Sequence, residues 1–251
     1  SIPDKSTSGI SIFLFFSLFN SPLIYSKSVA NGANALTVDA GTQTVNLDGQ
    51  VGAGTNGILG ALIITGQLDL DAEIGVRAGA AGAASLSVSL TSNIGEDVNT
   101  TAAQTYTGNA VLSGDADIQF KGTTITFLGT VAGNGGTAES ITVTGNAVFG
   151  NAGTDTVTGI DNLKVTGTLG LNTTNITGTG AFDIDGLTTI ADGITAVIDS
   201  GTGTGNIDLA AVTAGDAVGQ NLSLDAGTNN DADITIAGTV TNIDTLLITA
   251  A

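Results

Sequence analysis

Residues 141–167, ITVTGNAVFGNAGTDTVTGIDNLKVTG, open on ITVTG and close on LKVTG, with starts 22 positions apart. Restating one short idea at that interval narrows what the chain can fold into. With U for an apolar residue, the pattern U-x-U-x-G-x-x-x-U begins at Leu62, Ala110, Ile141, Leu163 and Phe182. A shorter form, U-x-U-x-G-x-V, begins at Val45, Ile125 and Ile234, and LTVDAGT from Leu36 matches LSLDAGT from Leu222. Neighbouring starts lie 22 to 26 residues apart: Leu36 to Leu62, Leu62 to Leu86, Leu86 to Ala110, Ile141 to Leu163, and Leu222 to Leu246. A repeat of roughly 20 to 30 residues is the length of one rung in a solenoid.

Within each copy the apolar residues alternate, the period of a strand with one buried face. Thr, Val and Ile suit a pleated surface, while Gly, Asn and Asp accept turn conformations that other residues resist. A helix would lose about 1 kcal/mol at each interior Gly. RAGAAGAAS, residues 77–85, is the best helical candidate, and its small residues fit a tight corner equally well. We therefore expect an all-β chain forming a right-handed parallel β-helix, because stacked rungs bury the apolar face that no rung buries alone. About nine rungs at about 4.8 Å each predict a rod of roughly 45 Å. An antiparallel β-sandwich is the alternative fold.

Composition removes most familiar chemistry. The chain has no His and no Cys, which excludes the usual zinc sites, thiol nucleophiles, disulfides and the imidazole base of a catalytic triad. Lys5 precedes an apolar run of about ten residues, too short to span a bilayer and suited to a signal-peptide core. Ser28, Val29 and Ala30 supply a small-x-small cleavage pattern, so residues 1–30 are read as a signal-peptide-like segment. Residues 31–251 are read as one solenoid region belonging to a longer chain. That region keeps only Arg77, Lys121 and Lys164 as cations in a protein of net charge −18. Such a body repels nucleic acid and anionic lipid, so neither is an expected partner, and the mature chain is not expected to be membrane-embedded.

In texture, LTVDAGTQTVNLDGQVG near the start, TAAQTYTGNAVLSGDADIQFKGTTITFLGTVAGN in the middle and LSLDAGTNNDADITIAGTVTNIDTLLITA at the end resemble the β-strand repeats of large bacterial surface proteins. The families are the filamentous-haemagglutinin-like exoproteins and the autotransporter passengers. The resemblance implies a secreted or outer-membrane-associated adhesin or stalk. Its implied partners are a host or neighbouring cell surface, matrix or glycan, with self-association as a further option. The Asn-Pro-Asn motifs of a two-partner secretion domain do not occur in the sequence.

GNAGTDTVT, residues 150–158, approaches the calcium nonapeptide G-G-x-G-x-D-x-U-x, with Asp155 as the charged ligand and Asn151 in place of the second Gly. One copy lacks the stacked neighbours such a site needs, so an ordinary polar turn is the favoured reading. A calcium-dependent S-layer protein is the alternative function. Asp69 with Asp71, Asp115 with Asp117, and Asp183 with Asp185 each share one side of a strand, the arrangement that glycoside hydrolysis uses. We read these pairs as outward positions of an acidic rod and expect no enzyme. Phe120, Phe127, Phe149 and Phe182 are expected in the core, with Tyr106 the aromatic best placed for exposure, although stacking inside is favoured. No catalytic, cofactor-binding or metal-binding residue is assigned.

Overall fold

The computed structural model describes residues 23–25, 34–52, 58–77, 79–114, 117–135, 139–203, 205–215, 220–227 and 231–250. Among them are 21 strands and no helix, so none is long and apolar enough to cross a membrane. The strands pair in parallel throughout, each with the strand one turn before or after it. Parallel pairing at every level rules out the sandwich and leaves a β-solenoid of about eight turns. At one strand spacing per turn, its height is about 40 Å.

Three faces follow one another around each turn. The first stacks Val38, Ile64, Val88, Tyr106, Phe127, Phe149, Leu171, Ile190 and Ala214 as inward neighbours. The second stacks Val45, Leu68, Ser92, Ala110, Val131, Val157, Ile176, Ile198 and Leu224. The third runs from Val51 through Ile74, Val98, Phe120, Val143, Val165, Ile184 and Leu209 to Ile236, nine levels joined by the eight turns. Burial alternates along every long strand, as in Glu139–Phe149, because successive side chains point to opposite faces. The inward column forms one continuous core from Leu36 to Ala232.

The expected aromatic core is present. Tyr106, Phe127 and Phe149 occupy the same place on consecutive turns, with stacked rings at centroid distances of 4.8 and 5.5 Å. Phe120 meets the first two edge-on at 5.9 and 5.3 Å. Each such pair adds about 0.5–1.5 kcal/mol beyond its burial.

The glycine motif proves to be one physical unit used at three different corners. Its Leu62 copy turns the chain from the first face to the second, its Ala110 copy from the second to the third, and its Ile141, Leu163 and Phe182 copies from the third back to the first. At the last corner the turns approach so closely that a Cβ on Gly145 would lie 2.0 Å from the Gly122 carbonyl oxygen. A Cβ on Gly167 or Gly186 would meet the preceding glycine's carbonyl oxygen at 2.6 and 2.3 Å. The two matched DAG stretches have their own reason, shared by Asp-Ser-Gly at 199–201: Asp39, Asp225 and Asp199 each accept the N–H of a glycine two residues on, at 3.1, 2.8 and 2.7 Å. Each of those glycines has φ between 61° and 80°.

Four of the five expected repeat pairs are stacked neighbours. The fifth is a correction: Leu86 lies beside Gln104, and Ala110 beside Ser92. That turn is short, so an apolar start one face further on fell at the expected interval. The described residues of 77–85, the helical candidate, form no helix and lead into the strand Ala83–Val88. Leu23–Tyr25, inside the segment read as a signal peptide, pairs with Val45–Leu47, and the rest of residues 1–33 lie outside the described residues.

Two substitutions test the stacking. Gly145→Ala should lower stability by about 2–4 kcal/mol, since its φ of 136° and the Gly122 carbonyl both oppose a side chain. Gly153→Ala, whose new Cβ meets nothing closer than 3.5 Å, should stay within about 0.5 kcal/mol in urea unfolding.

Candidate functional site

Of the carboxylates paired in the sequence, Asp69, Asp117, Asp183 and Asp185 are tied into the rod by side-chain partners. Asp183 and Asp185 project from the strand Phe182–Ile190, and the ammonium of Lys164, one turn earlier, donates to both at 2.5 and 2.7 Å. Burial works against the charge of Lys164, but the hydrogen bonds and charges of the two aspartates outweigh it and hold the ammonium above its ordinary pKa. Asp69 accepts from Asn93 at 2.7 Å, while Asp71 is exposed at the strand's end. Partial burial and the charges of Asp69 and Asp48 raise the Asp71 carboxyl above its usual range. Asp117 takes an ion pair from Arg77 and a hydrogen bond from Thr142 at 3.1 Å, and Asp115 lies outside the described residues.

A second electrostatic cluster is one the repeat pattern did not single out. Asp97 precedes the strand Val98–Asn99, and its side chain is 5% exposed. Burial pushes its pKa up, opposed by the Gln119 N–H at 2.7 Å and by Arg77 Nε at 3.3 Å. Arg77 thus joins Asp97 to Asp117 from the loop ahead of Ala83–Val88. In the sequence, Arg77 stands among alanines and glycines, and only the winding of the chain brings the acids to it.

Asp155 serves its own turn. Its Oδ2 accepts the N–H groups of Asn151 and Ala152 at 2.9 and 3.1 Å, and its carbonyl accepts the Thr173 hydroxyl. Among the described residues, no three His, Cys, Asp or Glu side chains gather as a metal ion would require. Tyr106 is fully buried, its hydroxyl donating to Gln104 Oε1 at 3.0 Å, so it offers no exposed platform. Burial raises its phenol well above the usual range. Gln104, equally buried, donates to the carbonyls of Val98 and Lys121 at 3.0 and 2.9 Å, closing a polar corner inside the core.

No family model, curated protein or solved structure matches this chain. Its chemistry must be read from the surface itself. On the second face, one outward rank runs Asp69, Asn93, Val111, Ala132 and Thr158 on successive turns, and further along the rod Thr177 is followed by Asp199 and Asp225.

The raised carboxyls give a pH dependence of definite sign. Asp97 and Asp71 bind a proton more readily folded than unfolded, so their contribution to stability grows as pH falls through their folded pKa values and is complete below 3.8. Relief of self-repulsion in a chain of net charge −18 acts the same way. The melting temperature should rise between pH 7 and pH ~4, and Asp97→Asn should flatten that rise. A fall in melting temperature over that window contradicts the assignment.

Proposed function

We propose that this chain is a non-enzymatic stalk and adhesive segment of a secreted or cell-surface protein, of the filamentous-haemagglutinin-like and autotransporter-passenger kind. The observation that carries the reading is the solenoid itself. Its parallel ladder holds one shape over its length, and its outward ranks carry Thr, Asn and Asp on many of the turns, as in Thr189 and Thr213 or Asp199 and Asp225. Mechanically, force along the rod is shared by hydrogen bonds between turns. Weak contacts to a glycan, matrix or neighbouring cell sum along a face as linked binding modules do.

The acid pairs support a structural role. Lys164 and Arg77 spend the charge of Asp183, Asp185, Asp97 and Asp117 on holding successive turns together. With Lys164 on both Asp183 and Asp185, that pair keeps neither carboxyl free to hold and release a proton at a scissile bond, as a hydrolytic pair would need.

The test is retention of protein-coated beads on cultured cells and on immobilised glycans, with sedimentation of the free protein alongside. An elongated particle whose beads are retained, and released when surface glycans are stripped, is the expected result. Release of sugars from a polysaccharide panel would overturn the reading in favour of an enzyme. Calcium-dependent two-dimensional arrays would overturn it in favour of a lattice protein.

A further inference from the structure

The third corner of the solenoid is uneven. Between the third and first faces, the chain from Ile74 to Leu86 is long, whereas Val98 to Gln104, Phe120 to Ile125 and Val143 to Ala147 are short. The first connection is at least twice as long as those on the turns that follow it. Asn99, 3% exposed, fixes it by donating to the carbonyls of Val76 and Gly79 at 3.1 and 3.0 Å. A groove of about 510 Å³ lies against this connection, with Gly79 and Ala81 on it and the tight corners at Gly122 and Gly145 as its floor.

The chemistry of that groove differs from the rest of the surface. The sequence has 23 acidic residues, yet among the described residues none lines it. Lys121 does, and it makes no ion pair with a described residue, whereas Arg77 and Lys164 are each held by two aspartates. Thr123 and Thr144 stand beside it, and neither hydroxyl bonds to a described residue. An ammonium, two hydroxyls and a floor without side chains form a donor set for a small planar anion. At physiological salt the repulsion of distant carboxylates is screened within about 8 Å, so a single charge is tolerated locally while a polyanion meets the whole acidic body.

We propose that this groove binds the carboxylate of an acidic sugar, with Lys121 as the charge partner and Thr123 and Thr144 as hydroxyl donors. The proposal rests on the adhesive reading and gives it a ligand class. The probe is an oligosaccharide ending in a uronic acid, compared with its neutral counterpart ending in the parent hexose, each titrated into the full chain while backbone amide NMR signals are followed.

Saturable shifts confined to residues near Lys121, Thr123 and Thr144 are expected, with affinity at least tenfold lower for the neutral sugar and for Lys121→Gln. Thr144→Val, which keeps the strand, should weaken binding several-fold and provides the readout if the lysine variant does not fold. Equal affinity for the two sugars, shifts elsewhere, or no saturable shift would overturn the proposal. Beads that still adhere to cells after Lys121→Gln would sink the groove and leave the adhesin. Groove binding without any cell retention would do the reverse.

Discussion

Everything in this fold depends on how closely one turn can lie on the next. Backbone ladders run between turns, so the chain must return to within one strand spacing of itself at every corner. A Cβ on Gly145 would sit 2.0 Å from the carbonyl oxygen of Gly122, and one on Gly114 would sit 2.1 Å from that of Gly95. Glycine at these corners lets the inward Val, Ile, Leu and Phe columns meet and exclude water. Asparagine completes the contact where backbone pairing lapses: Asn109, Asn146 and Asn162 accept N–H groups of the following turn at 3.1, 2.9 and 2.7 Å.

The same closeness governs the charges. A strand column places like residues one spacing apart, so an acidic rod risks stacked repulsion along its faces. Lys164 answers this on one stretch of the third face and Arg77 on another, each bridging two aspartates. The third cation among the described residues, Lys121, lies among glycines and threonines beside the loop that carries Gly79 and Ala81. This distribution separates the structural cations from the one offered to a ligand.

Much of this was legible in the sequence, since alternation and a recurrent glycine are direct images of strand and corner. Ile141, Leu163 and Phe182 stack as their spacing implies, and the four phenylalanines enter the core. The repeat misled at Leu86, where a short turn shifted the phase and brought polar Gln104 into the core in place of an aliphatic residue. Turn length depends on which corner a glycine makes, and the motif reads the same at all three. The Arg77 cluster and the groove were hidden for a different reason: they join residues 20 to 40 positions apart through a loop whose Ala/Gly composition suited a helix or a corner equally.

Each turn adds one strand spacing along a single axis, and the lack of cysteine in the sequence makes this directly measurable. Thr126 stacks on Val148, which leads through Gly170 and Thr189 to Thr213 on the outward side of the first face. Spin labels on cysteines introduced at Thr126 and each of these positions in turn, read by pulsed electron resonance, should give narrow distributions. Their centres should lengthen by about 4.8 Å per turn, to about 19 Å at Thr213. Broad distributions, or distances that do not grow with each turn, would contradict the solenoid.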